Sequence, residues 1–453
     1  MVRPRGRRGG RRRGEHGARH VLIIVQNLPV PLDRRVWLEC QALRANGYDV
    51  SVICPKGPGD PGRQVIDAVK IFKYRPAPEA RGLFGFALEF AYSWMRTAAL
   101  TLVVWRQCRF AFIQACNPPD TYWLLALLWR IRGVRFVFDH HDLNPELFLS
   151  RFGRPRTLIQ RAEFATLSWL ERMTFRSAER VISTNDSYRE IAVRRGGRDP
   201  EDVIVVRSAP DTAVMRPSYP AIPRPADAVE LVYLGIMGPQ DGVDTVLYVM
   251  DELVHNRGRR DVHATLMGFG DSQQDLRRLA SDLRLEEHVT FTGRADRQMV
   301  AENLSRADIG LCPDLKTPLN DVSTMNKTME YMAFALPSVS FDLVETIFSG
   351  GEALLVVPTG DIAAFSDQIE RLIDDKRLRL TMARAARARV SEFLDWQPQA
   401  QSYVGVYDAL TGTERPSGVT YPDAPERTHD EWGNRIVPLG DEAEFNRFIL
   451  ERR

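Results

Sequence analysis

Short apolar runs rich in β-branched residues alternate with stretches of helical period along almost the whole chain. Val21–Val25 precedes a helical pattern around Arg35–Asn46, and Asp49–Cys54 follows it. Further strand-like runs are Phe110–Gln114, Val134–Phe138, Arg180–Ser183 and Val203–Val206. Short strands separated by helices predict βαβ units in a parallel sheet. From Met215 to Asp227 the chain carries four prolines and no apolar period, as an interdomain linker does. The alternation then restarts with Val229–Leu234, Ala264–Met267, Val289–Phe291, Ile309–Leu311, Ser338–Phe341 and Leu354–Val357. Helical patterns return at Ala363–Asp374, Leu378–Phe393 and Gln399–Leu410. The expected layout is an α/β domain over 20–214, a linker over 215–227, a second α/β domain over 228–395 and a helix over 396–412. The extension 413–453 is rich in Pro, Asp, Glu and Arg, and only Glu442–Leu450 reads as a short docking helix.

A chain of 453 residues, 44% of them hydrophobic, is ample for two packed domains. Its net charge of +2 gives no reason to expect a nucleic-acid partner. Five cysteines without a C-x-x-C pair argue against a disulfide framework or a zinc site and fit a reducing, cytoplasmic setting. Residues 1–19 are Arg- and Gly-rich and are expected to be disordered, and the apolar run after them is too short for a signal peptide. Leu83–Trp105 is the most membrane-like segment, but Glu89 and Arg96 interrupt it, so it does not span. A buried helix is its default reading, and its Phe, Tyr and Trp content leaves a peripheral contact with the inner face of a membrane as the alternative.

Three segments carry candidate chemistry. Asn326-Lys327-Thr328-Met329-Glu330 opens a helix that stops at Pro337. Unsatisfied N–H groups at a helix start suit a phosphate, Lys327 adds a full charge there, and Glu330 lies one turn on, where a ribose fits. Lysine is scarce in this arginine-rich chain, which makes its placement more telling. Phe138-Asp139-His140-His141-Asp142 puts titratable groups at a strand end, and Asn27–Trp37 follows the first strand. Each has a plainer reading: a capped surface helix, a satisfied histidine loop and, for Val30 and Leu32 of the third, core packing.

Together, in register from about Val21 to Leu410, these segments resemble the retaining GT-B glycosyltransferases of family 4. The resemblance implies two Rossmann-like parallel-sheet domains facing a central cleft, with the 396–412 helix crossing back onto the first. It implies a nucleotide-sugar donor, UDP- or GDP-linked, as co-substrate, with no further cofactor and no metal. Lys327, Asn326 and Glu330 would hold the nucleotide, helped by the glycine turns Gly235/Gly238 and Gly268/Gly270 and by Arg294 near the base. His141 would face the reacting sugar, with Asp142 orienting it and tuning its basicity. Asn27, Asp33, Arg34, Arg35, Asn117 and Asp120 would line the acceptor side.

The chain departs from the family pattern at four places. Ile236 and Asp241 stand where an Arg and a Lys are expected on the diphosphate, and Val322 replaces the sugar-binding Glu. Asp321, one residue away, is the substitute candidate, and Ile347 stands where a polar residue is usual. The expectation is a retaining transferase moving sugar to a saccharide or lipid-linked acceptor in polysaccharide or glycolipid biosynthesis. Those departures keep a non-catalytic GT-B subunit as the first alternative, and a sugar-nucleotide epimerase is the second.

Overall fold

The computed structural model describes residues 19–77, 82–220, 222, 228–415, 418–420 and 427–452. The expected disordered tail lies outside them apart from Arg19, as do parts of the expected linker and of the extension. The chain forms two compact units. The first comprises 1–148, 154–206 and 399–422, and the second 149–153, 207–398 and 423–453.

In the first unit the strands are β1 (His20–Ile24), β2 (Asp49–Pro55), β3 (Arg63–Ile66), β4 (Val69–Tyr74), β5 (Phe112–Cys116), β6 (Arg135–His140), β7 (Arg180–Ser183) and β8 (Val203–Val205). Helices α1 (Arg34–Ala45), α2 (Gly82–Gln107), α3 (Trp123–Arg130), α4 (Asn144–Phe152), α5 (Leu158–Ser177) and α6 (Asp186–Arg194) connect them, and the end of α4 belongs to the second unit. The sheet order is β3-β4-β2-β1-β5-β6-β7-β8, parallel except for β3 against β4. The hairpin β3–β4 is absent from the sequence reading because Lys70 and Lys73 break the apolar run. Lys73 is nevertheless buried, its ammonium 2.5 Å from Asp60 Oδ2.

In the second unit the main sheet is fully parallel, ordered β12-β11-β10-β13-β14-β15. With a short β9 (Ser218–Tyr219), the strands in chain order are β10 (Val229–Ile236), β11 (Val262–Phe269), β12 (Val289–Gly293), β13 (Ile309–Cys312), β14 (Ser338–Phe341) and β15 (Leu354–Val357). The helices are α7 (Val243–Asp251), α8 (Gln273–Asp282), α9 (Arg297–Arg306), α10 (Asn326–Ala333), α11 (Val344–Gly350), α12 (Ile362–Asp374) and α13 (Lys376–Phe393). The expected linker therefore contains a strand: β9 pairs with β16 (Arg435–Ile436) of the extension.

Helix α14 (Trp396–Thr411) begins in the second unit, and from Gln399 onward it belongs to the first. There Tyr403 and Tyr407 are fully buried, and Tyr407 packs edge-on against Phe112 at 5.4 Å. Among the described residues no helix is long and apolar enough to cross a membrane. Leu88, Phe90, Met95 and Leu102 of α2 are nonetheless exposed, while Thr97, Thr101 and Val104 face inward.

The parallel strands of each sheet reverse their order once, at β1/β5 in the first and β10/β13 in the second. Loops leaving the carboxyl ends of strands part at such a reversal and open a crevice, the usual ligand site of a doubly wound sheet. The loops after β1, β5, β10 and β13 leave at those two reversals. They carry most of the candidate residues, with neighbouring loops supplying the others.

Candidate active site

In the first unit, loops after β1, β5 and β6 bring a polar cluster together. Arg35 enters on the first turn of α1, which Asp33 caps by accepting from the Val36 N–H at 3.1 Å. The Arg35 Nη2 donates to Asp139 Oδ1 at 3.1 Å, and Nη1 donates to the Val206 carbonyl at 2.8 Å. Glu39, one turn along α1, lies 3.1 Å from Arg35 Nε. His141 Nε2 is 2.8 Å from Asp139 Oδ2 and 3.0 Å from Arg35 Nε. These two contacts exclude each other, since Nε2 either donates to the carboxylate or accepts from the guanidinium. Burial opposes ionisation of Asp139, yet the charges of His141 and Arg35 hold its carboxyl well below the usual range. An ionised Asp139 favours a proton on His141 Nε2.

Glu39 goes the other way. Burial first, and the Asp139 charge second, push its carboxyl well up. Gln114 Nε2 donates to Glu39 Oε2 and to Asp139 Oδ2, both at 2.8 Å. Gln114 Oε1 in turn accepts from the hydroxyls of Tyr403, at 2.6 Å, and Tyr407.

The carboxylate on His141 is thus Asp139, where the sequence pointed to Asp142. The reason is geometric: Asp139 lies one residue before the end of β6, beside Cys116 of β5, whereas Asp142 lies beyond the turn that Asn117 braces. Asn117 Oδ1 accepts from the N–H groups of His141 (2.7 Å) and Asp142 (3.1 Å), and its Nδ2 donates to the Asp142 carbonyl. His140 turns inward and meets Phe175 edge-on at 4.9 Å. Cys116, Asp139 and His141 place ligand atoms within 4.8 Å of one another. That group suits a cation poorly, because Arg35 already occupies Asp139 and burial pushes the Cys116 thiol far up.

Of the expected acceptor residues, Asp33 and Asn117 are spent on backbone, and Arg35 on the Asp139 cluster. Asp120 is buried, with Oδ2 accepting from Asn144 Nδ2 at 2.6 Å, while Asn27 and Arg34 are exposed.

In the second unit the loops after β10, β11 and β13 meet the start of α10. Lys327 Nζ lies 2.5 Å from Asp314 Oδ1 and 4.8 Å from the centre of the Tyr233 ring. Burial alone would lower its pKa, but Asp314, Tyr233 and Asp241 together raise it, so the ammonium is permanent. A Cβ on Gly235 would lie 3.1 Å from Lys327 Cε, which places this turn against the lysine. A Cβ on Gly268 would overlap the Gly235 carbonyl, and one on Gly270 would meet the Met237 backbone. These two glycines let the β10 and β11 loops touch, and the Met237 N–H donates to the Phe269 carbonyl at 2.9 Å.

Helix α10 starts at Met325 with no side-chain cap; Asn326 is exposed there and Glu330 half-buried. Arg294 is exposed and lies over the Phe269 ring at 5.2 Å. Two carboxylates of this region have structural partners: the expected ligand Asp321 and the departure Asp241. Asp321 Oδ1 accepts from the Val344 N–H at the start of α11, and Asp241 Oδ2 accepts from the Gly238 N–H at 2.8 Å. Sequence reasoning assigned no role to Asp139, Glu39, Gln114 or Asp314. A polar residue inside an apolar strand (Gln114) and a charge directly after one (Asp314) were the available signals.

Two buried carboxyls give the first unit a pH signature. Burial raises Asp120 to about 6, and it raises Glu171 to about 7 against the opposing charge of Arg195. The native state therefore keeps protons that the unfolded chain releases from its ordinary range near 3.8 and 4.5. This stabilisation is full below about pH 4 and is lost as pH rises through about 6 and 7. Asp120→Asn combined with Glu171→Gln should flatten the fall in urea midpoint between about pH 5 and pH 7.5. Identical pH slopes for wild type and the double variant would contradict the assignment.

The comparisons with known proteins cover both units. A model described as "Glycosyl transferase 4-like domain" matches residues 32–209, and one described as "Glycosyl transferases group 1" matches 228–375. Alpha-D-kanosaminyltransferase of Streptomyces kanamyceticus is 26% identical over 62% of this chain and 72% of its own length. Sucrose-phosphate synthase of Thermosynechococcus elongatus superposes with a TM-score of 0.71 at 18% identity, over 87% of this chain and 100% of that one. Anabaena HepE in complex with UDP gives 0.60 at 16% identity, over 87% of this chain and 99% of that one. With matched domains in both units and the GT-B fold, this chain belongs to the group 1, family 4-like glycosyltransferases, which draw their sugar from nucleotide-sugar donors.

Proposed function

We propose that the second unit binds the diphosphate of a UDP- or GDP-sugar at Lys327 and the uncapped start of α10, with Glu330 on the ribose. The observation that carries this reading is the convergence of Lys327 and the Gly235 turn beside β10, the strand at which the second sheet reverses. Preorganised donors aimed at a departing diphosphate are the largest expected catalytic term, because charge develops there. UDP bound to the Anabaena relative supports UDP as the first donor base to test. Asp314 holds the ammonium in place until the phosphates arrive and share it.

In the first unit His141, held by Asp139, positions and polarises the reacting sugar, and transfer proceeds with retention. Such a mechanism lets the leaving phosphate take the acceptor proton, so the histidine need not be an obligatory base. The acceptor is a saccharide or a lipid-linked saccharide reached at the inner face of a membrane. Exposed Leu88, Phe90, Met95 and Leu102 on α2 support that contact. A non-catalytic donor-binding subunit is the second reading, favoured by Ile236 and Val322 and by a lysine already paired with Asp314.

Calorimetry against UDP, GDP and their sugar conjugates should find one nucleotide binding at about micromolar strength, weakened about tenfold or more in Lys327→Ala. Silence toward all of them would remove the transferase reading. Initial rates should then fall about a hundredfold or more in Asp139→Asn and less than about tenfold in Asp142→Asn. The reverse order would return the orienting role to Asp142. The protein should co-sediment with anionic vesicles and lose this on Leu88→Ser with Met95→Ser; equal sedimentation of both forms would refute the membrane contact.

A further inference from the structure

The extension beyond α14 has no role in the sequence reading, yet its last described residues reach the helix that carries Lys327. Strand β16 joins β9, and helix α15 (Glu442–Glu451), capped by Asp441, follows. Phe445, Phe448, Ile449 and Val437 form one buried cluster with Ala335 and Ala383. This docking delivers Arg452, only 5% exposed, to the C-terminal end of α10. Its Nη2 donates to the Phe334 carbonyl at 2.7 Å and its Nη1 to the Ala335 carbonyl at 3.1 Å, while the guanidinium lies 4.6 Å from the centre of the Phe448 ring. A second guanidinium, Arg387 of α13, donates to the carbonyl of Ala333 at 2.7 Å. Three successive carbonyls at the end of α10 therefore receive hydrogen bonds from buried cations.

The physical consequence concerns the other end of the helix. Helix α10 has eight residues and so spans only about 12 Å. An element that short has little stiffness of its own to lend, so what grips its C-terminal end also fixes where its first turn points. Cations at the carbonyl end oppose the negative pole of the helix, while the start lacks a side-chain cap and keeps N–H groups for a ligand. Ala335 directly follows the C-cap Phe334 at a φ of 54°, a left-handed conformation costly for a residue with a Cβ. That Cβ belongs to the cluster with Phe445 and Phe448, so the extension also shields the strained turn.

We propose that Arg452 is a positioning residue of the donor site, which the extension delivers to hold α10 and thereby Lys327 and Glu330 in place. This rests on the reading of Lys327 and Glu330 as donor ligands. Arg452→Met keeps an unbranched stem and removes the cation that hydrogen-bonds the carbonyls and lies over Phe448, and Arg452→Lys restores one charge. Two readouts on the full chain decide the matter: amide hydrogen exchange across 326–336, which needs no ligand, and calorimetric affinity for UDP and GDP with kcat at saturating donor. Arg452→Met should speed exchange of the Tyr331–Leu336 amides about tenfold. It should also weaken nucleotide binding severalfold and lower kcat at saturating donor severalfold, because Lys327 acts on the departing diphosphate, with Arg452→Lys recovering part of both losses. Unchanged exchange overturns the inference, and so does faster exchange with unchanged nucleotide affinity. A wild type that binds neither nucleotide fails the donor reading itself and is told apart because the exchange arm does not depend on it. If Arg452→Met does not fold, the Lys variant carries the same two comparisons.

Discussion

Gln114 is the interaction on which the first unit depends. It is one amide in the middle of an apolar strand, with both faces committed. Its nitrogen serves Glu39 and Asp139, and its oxygen takes two tyrosine hydroxyls from α14. A buried amide this fully used leaves no polar atom idle, and replacing it would remove four hydrogen bonds at once. The strand β5, helix α1, strand β6 and the returning helix α14 are therefore fixed relative to one another by a single side chain. The orientation of His141 is a consequence of that arrangement, since Asp139 is held before it meets the imidazole.

The second unit solves its positioning problem by close backbone approach. Glycines at 235, 268 and 270 let two loops touch where side chains would collide. A paired lysine then lies against the turn so formed. Here the cation is held by one carboxylate at 2.5 Å and an aromatic face. The two units thus use different physics: a hydrogen-bonded amide relay in one, steric permission in the other.

Much of this was legible in the sequence because strands buried on both faces must be continuously apolar. Arg180–Ser183, Ser338–Phe341 and Leu354–Val357 have the predicted bounds. Phe110–Gln114 is displaced, to Phe112–Cys116, because β5 extends to pair Cys116 with Asp139, and no apolar period reports such a pairing. The hairpin β3–β4 and the pair β9–β16 escaped for related reasons: one buries a lysine stem, and the other joins residues more than two hundred positions apart. The docking helix near 442–450 was legible from its amphipathic period, but nothing in a sequence says which helix end an arginine will reach. Side-chain roles were least legible where two chemically equal residues stood close together. Asp139 and Asp142 differ only in which side of a turn they occupy.

The departures at Ile236 and Asp241 change weight once their surroundings are known. An aspartate in a phosphate loop reads as repulsion if its carboxylate faces the ligand. Asp241 instead accepts from the Gly238 N–H and shapes its own turn, and burial raises its pKa so that its charge is more readily relinquished. Ile236 is half exposed and its carbonyl accepts from the Tyr233 hydroxyl, the ring over which Lys327 lies. Neither residue supplies a cation, but each fixes the loop that backs the lysine. A site with one strongly held cation and a preorganised backbone differs in kind from a site that has lost its cations. Losing two charge-assisted bonds costs about 3–6 kcal/mol if nothing replaces them. On the proposed donor reading, the uncapped start of α10 would offset part of that loss, so the test of the donor site turns on a helix terminus more than on the missing arginine.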